Sequence, residues 1–112
     1  MRTITVNLEP VNISINGIEF TLLKSDGEIA ALGRDAMARC AALDIGNPDA
    51  VRACLAWICA EIDEILGSGS VAKLMGNKPV SMIAALKLLN GLTAASAEAY
   101  REYLRREYLH DI

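Results

Sequence analysis

Asn16-Gly17 is the most constraining dipeptide in the chain. It is a preferred two-residue connection of a β-hairpin. A type I′ turn needs positive φ at both central positions, and these two residue types tolerate it. The flanks agree with that reading. Val11, Ile13 and Ile15 alternate with Asn12 and Ser14, and Ile18, Phe20 and Leu22 alternate with Glu19 and Thr21. With the turn at 16–17, Ile15 faces Ile18, Ile13 faces Phe20 and Val11 faces Leu22. All six then share one face, and a slip of one residue would scramble both faces.

Upstream, Ile4, Val6 and Leu8 alternate with Thr3, Thr5 and Asn7 before Pro10 interrupts the pattern. This predicts an edge strand or a bend, since proline cannot donate to a ladder. Downstream the period changes to helical. Ser25 and Glu28 have capping-box spacing, with Asp26 in the first turn. Ile29, Leu32, Ala36, Met37, Cys40 and Leu43 follow at helical intervals, with Gly33 placed for a close packing contact. Asn47-Pro48-Asp49 is a strong helix start. A second helix is expected over 48–66, with Val51, Cys54, Leu55, Ile58, Ile62, Ile65 and Leu66 as its apolar stripe and Gly67 as its stop. Gly67-Ser68-Gly69-Ser70 reads as a flexible loop, and 71–75 as one helical turn stopped by Gly76-Asn77. Pro79 is expected to open a third helix carrying Val80, Ile83, Leu86 and Leu89 or Asn90. Gly91 and Thr93 predict a break there, or a bend, before a last helix over 93–109.

Composition sets the exclusions. Of 112 residues, 53% are apolar and 22% charged, and the mean hydropathy is +0.28. A disordered chain would be polar and highly charged. The apolar share is high for so small a domain and leaves surface for a partner. Net charge is −3, the wrong sign for a general nucleic-acid binder. Residues 25–66 hold three basic and eight acidic side chains, and residues 67–112 hold six basic and four acidic. An acidic middle and a mildly basic end favour head-to-tail self-association. Residues 1–23 do not carry a charged-then-apolar leader, and no apolar run nears the roughly 18 residues of a membrane span. The expected setting is cytosolic, with no membrane and no nucleic acid.

Candidate chemistry is sparse. His110 is the only histidine, near the end of the chain, where a catalytic arrangement is poorly held. Cys40, Cys54 and Cys59 have neither disulfide-framework nor zinc spacing. Glu61, Asp63 and Glu64 form the densest acidic cluster, which reads as a solvated helix face. Gly67 to Ser70 lacks the lysine and hydroxyl ending of a phosphate loop. No catalytic, cofactor or metal residue is assigned, no cofactor is expected, and the chain is read as a non-enzyme. Tyr100, Tyr103 and Tyr108 on the last helix suit either packing on the chain's own core or a protein interface, because tyrosine joins apolar area to a polar tip. Arg101, Arg105 and Arg106 on the same helix are the only candidates for contacting DNA.

The order of motifs resembles a known group. Ile-Asn-Gly-Ile-Glu-Phe (15–20), Ala-Glu-Ile-Asp-Glu-Ile-Leu-Gly-Ser-Gly (60–69) and Ala-Lys-Leu-Met-Gly-Asn-Lys (72–78) resemble small tail-region proteins of tailed phages and prophages. These are similar to the siphophage tail assembly chaperones of Gram-positive bacteria. The resemblance spans most of the chain, and segment 60–78 carries most of it. The strand before Pro10 and the alanine-rich helices depart from it. It implies a non-enzymatic assembly role in the host bacterial cytosol: binding the apolar helical surface of a tape measure protein, recruiting tail-tube subunits, and forming a homo-oligomer. A structural virion component, a connector or tail protein, is the alternative, followed by a small DNA-binding regulator.

The expected fold class is α+β. An N-terminal antiparallel β-hairpin region (1–23), with room for a third strand, precedes a helical region (25–112) of three to five helices in a small bundle. The whole chain is read as one domain. The expected partner interface combines Tyr100, Tyr103, Leu104 and Tyr108 on the last helix with Ile13 and Phe20 on the hairpin.

Overall fold

A computed structural model describes residues 1–108. The chain order is β1 (Asn12–Ile15), β2 (Ile18–Thr21), α1 (Asp26–Ala41), α2 (Pro48–Leu66), α3 (Ser70–Met75) and α4 (Met82–Glu107). This is an α+β arrangement: a two-stranded antiparallel hairpin followed, among the described residues, by four helices.

The hairpin has the register its turn requires. Ile15 pairs with Ile18 and Ile13 with Phe20, and the Leu22 N–H donates to the Val11 carbonyl at 2.8 Å. Asn16 and Gly17 have φ of 51° and 81°, as a type I′ turn needs. Among the described residues no third strand forms. Residues 1–11 lie outside the sheet, and Ile4, Val6 and Leu8 are 82%, 60% and 85% exposed. The expectation of a possible strand there is corrected.

Each long helix begins where a side chain supplies the missing acceptor. At α1 the Ser25 hydroxyl accepts from the Glu28 N–H, and Glu28 reaches back to the Ser25 N–H. At α2 the Asn47 side chain accepts from the N–H groups of Asp49 and Ala50. At α4 the Ser81 hydroxyl accepts from Ala84 N–H at 3.0 Å, so the helix opens at Met82 and not at Pro79. It also runs unbroken through Gly91, where the Thr93 hydroxyl donates to the Asn90 carbonyl at 2.9 Å.

One apolar core joins all these elements. Phe20 and Leu22 enter it from the hairpin, Ile29 and Leu32 from α1, Ile58, Ile62 and Ile65 from α2, Val71 from α3, and Leu89 and Leu92 from α4. Each such side chain contributes about 1.5–3 kcal/mol through burial. Gly33 brings α1 close to α4: a Cβ there would stand 3.0 Å from the Thr93 methyl carbon. The Leu23 N–H donates to the Ile65 carbonyl at 2.8 Å, tying the hairpin's exit to the end of α2. Two expected stripe positions face outward instead, Met37 on α1 and Ile83 on α4. The buried face of α4 is set by Ala85, Leu89, Leu92 and Ser96.

The molecule is elongated. Its radius of gyration is 16.9 Å and its extents are 61 × 30 × 28 Å. A compact chain of this length would have a radius near 13 Å. Much of the length is α4, whose 26 residues span about 39 Å.

Candidate functional site

The two halves of α4 have different surroundings. Its first four turns carry the buried Ala85, Leu89, Leu92 and Ser96; from Ala97 to Glu107 no residue is buried. In this second half Tyr100 is 56% and Tyr103 46% exposed, and Tyr108 just beyond is 68% exposed. Leu104 is half-buried. The rings of Tyr103 and Tyr108 meet edge-on with centroids 6.0 Å apart. The neighbouring Tyr108 phenol, with further negative charge from Glu107, pushes the Tyr103 phenol above its usual range. The sequence left open whether these tyrosines pack on the chain's own core. The structure places them on the surface.

The charges between the tyrosines are organised by Glu98. Its carboxylate accepts from Arg101 at 3.0 Å and from Arg105 at 2.6 Å. The two guanidinium groups, Arg105 foremost, hold the Glu98 carboxyl below its usual range. Two of the three arginines nominated for DNA are therefore already engaged. Alongside, residues 5–11 and the second half of α4 flank an open cleft of about 1020 Å³, with Val6 and Val11 on one wall and Tyr100 and Tyr103 on the other.

A second surface lies beside β1. Ile13 and Ile15 form one wall of a groove of about 560 Å³, facing Leu74 and Met75 of α3 and Ala84, Leu88 and Leu92 of α4. Lys87 stands at its rim. Of the two hairpin residues expected at an interface, Ile13 is thus half-buried and lines this groove. Phe20 is corrected: it is 8% exposed and belongs to the core, because the face it shares with Leu22 is covered by the helices. The structure does not bring Ile13 together with the tyrosines. They belong to two separate surfaces.

Two members of the acidic cluster on α2, Asp63 and Glu64, have partners elsewhere in the fold. Asp63 accepts from the N–H groups of Gly69 at 3.2 Å and Val71 at 2.9 Å, which pins the loop that reads as flexible in sequence and starts α3. Glu64 lies 3.8 Å from the Lys24 ammonium, which also reaches Glu28 at 3.7 Å. Sequence reasoning missed Asp63. The available signal was an acid four residues before a Gly-Ser-Gly run that must expose backbone N–H groups. It also missed Arg39, whose guanidinium lies 3.9 Å from the Trp57 ring centre in a cation–π contact that no local pattern announces.

The thiols of Cys40 and Cys59 are pushed up, first by burial and then by Cys54 and Asp63 respectively. Raised thiols hold little thiolate near neutral pH and react slowly. Among the described residues, no group of three or more His, Cys, Asp or Glu side chains is placed to hold a metal ion, and no helix is long and apolar enough to cross a membrane. His110 lies outside the described residues. Comparison with protein-family models, with curated proteins and with solved structures finds no match.

Proposed function

We propose that this chain is a non-enzymatic assembly protein, a tail assembly chaperone or tail-associated adaptor of a tailed phage or prophage. In this reading it binds an apolar helical partner such as a tape measure protein in the host cytosol. The observation that carries the reading is the second half of α4. It is a helical surface bearing Tyr100, Tyr103 and Leu104, with Tyr108 just beyond its end and no buried residue among them. Tyrosines held on a helix offer contact area at small entropic cost and are enriched at binding hot spots. The adjoining cleft suits the docking of an amphipathic helix, a common mode of peptide recognition. The engagement of Arg101 and Arg105 by Glu98 weighs against the DNA-binding alternative.

The test is co-expression with a tape measure protein. The wild-type chain is expected to keep that protein soluble and to co-elute with it. Tyr100→Asp and Tyr103→Asp are expected to abolish co-elution while leaving helix content unchanged. A tape measure protein that is equally soluble without the chain, or is bound equally by the aspartate variants, would contradict the reading. Retention of the chain in finished particles would favour the virion-component alternative.

A further inference from the structure

The segment before the hairpin has the makings of a strand and no partner. In an extended strand Ile4, Val6 and Leu8 would share one side and Thr3, Thr5 and Asn7 the other, matching the apolar and polar faces of the hairpin. All three apolar side chains are exposed. The sheet has an unpaired edge of its own. In an antiparallel ladder the backbone groups of alternate residues point to opposite sides. Val11 bonds inward to Leu22, so Ile13 and Ile15 also bond inward, and the backbone groups of Asn12 and Ser14 point to the open side of β1. The sheet has only β1 and β2 among the described residues. β1 itself carries no lysine or proline, residues that commonly guard an edge where strand addition is to be avoided. The edge of β2 is different: beyond Thr21 the chain is tied to α2 through Leu23 and Ile65.

The arm is poorly placed to close onto its own edge. A two-residue loop at Glu9-Pro10 would need positive φ at Pro10, which the pyrrolidine ring forbids. It would also pair Leu8 with Val11, whose backbone already faces Leu22. A three-residue loop would set Leu8 opposite Asn12, on the polar face. A four-residue loop would span 8–11 and so take in Val11, whose carbonyl already holds the Leu22 N–H. Meanwhile the Glu9 N–H donates to the Asn7 side chain at 3.0 Å, turning the chain between the arm and Pro10.

We infer that the open edge of β1 receives residues 3–8 of a second copy of this chain as its third strand. Ile4, Val6 and Leu8 then enter the groove lined by Ile13, Ile15, Leu74, Met75 and Leu88. The exposed area is sufficient for a second copy. The chain exposes 8168 Å², roughly 2,200 Å² more than a compact monomer of its mass, and a stable interface buries roughly 1,200–2,000 Å² in total. Strand addition supplies backbone hydrogen bonds for affinity and alternate side-chain pockets for register. Reciprocal exchange of two arms closes a two-fold dimer. This interface uses the β1 edge and none of the tyrosines, but Val6 also walls the cleft beside Tyr100 and Tyr103, so exchange of arms opens that cleft on its arm side.

The test is light scattering coupled to size exclusion on the full chain over a wide concentration range, with circular dichroism to verify folding. The wild-type chain is expected at twice the monomer mass. Val6→Asp and, independently, Leu8→Asp change only exposed side chains and are expected to yield a folded monomer. Ser14→Pro removes an N–H from the open edge and none from the hairpin, and is expected to do the same. An equimolar mixture of the Val6→Asp and Ser14→Pro chains, one with a sound edge and the other with a sound arm, is expected to recover a one-armed pair. A wild-type monomer at every concentration, or a dimer that survives Val6→Asp and Leu8→Asp, would overturn the proposal. So would a dimer lost on Tyr100→Asp but retained in Val6→Asp.

Discussion

Residues 4–8 and residues 11–15 carry the same alternation of apolar and polar side chains, yet only the second segment is paired in a sheet. The difference lies in the dipeptide at the end of each segment. Asn16-Gly17 accepts positive φ at both positions and returns the chain beside itself. Glu9-Pro10 fixes a negative φ at the point where a return would be needed. The second segment also gains a cover, because Phe20 and Leu22 sit in the helical core, whereas Val6 meets solvent. Alternation alone thus specifies a surface able to pair. The turn and the core decide whether it pairs within the chain.

The largest expected effect tests that contrast directly. Phe20→Ala removes a ring from the core and should cost about 3–5 kcal/mol, whereas Val6→Ala in the arm should change the stability of the dilute monomer by less than about 0.5 kcal/mol. Denaturant unfolding of both variants checks this, and equal effects would erase the distinction. Next comes Asp63→Ala. It leaves the N–H groups of Gly69 and Val71 without their acceptor and should cost about 1–3 kcal/mol. Hydrogen exchange should then rise first at those two amides. Smaller again, Gly17→Ala places a Cβ at φ +81° with no atom within 4 Å to clash. The cost is backbone strain alone, about 1–2 kcal/mol, readable as a lower thermal midpoint.

The smallest effect is electrostatic. The hydrogen bonds from Ser25, helped by Lys24, hold the Glu28 carboxyl below its usual 4.5. A depressed carboxyl contributes stability above its unfolded value, and this contribution is lost as pH falls through the folded one. The α1 start should therefore weaken as the medium is acidified below about 4.5. Glu28→Gln should remove that part of the acid dependence in a pH titration of the unfolding midpoint.

Much of the fold was legible because its signals are local. The Asn16-Gly17 register, the Ser25–Glu28 box and the Asn47-Pro48 start each rest on residues within a few positions of one another. Val80, Ile83, Leu86 and Leu89 were less informative. Their spacing fits a helix, but the neighbours place Ala85 inside and Ile83 outside, and only tertiary packing chooses between adjacent stripes. Gly91 looked like a breaker, yet α4 continues because nothing opposes it and its neighbours favour helix. Of the residues expected at an interface, Tyr100, Tyr103 and Tyr108 are exposed and Phe20 is buried, since a strand pattern reveals which residues share a face and not what covers it. Asp63 was hidden because its partners lie across a loop, at Gly69 and Val71.

On the strand-exchange proposal, residues 3–8 find in a second copy the pairing they lack in their own chain. Residue-resolved amide exchange at low and high protein concentration tests it most directly. Ile13 and Ile15, bonded within the hairpin, should be protected at both. Asn12, Ser14 and alternate amides of residues 3–8 should become protected only as concentration rises. Arm amides that exchange freely at every concentration would contradict the account.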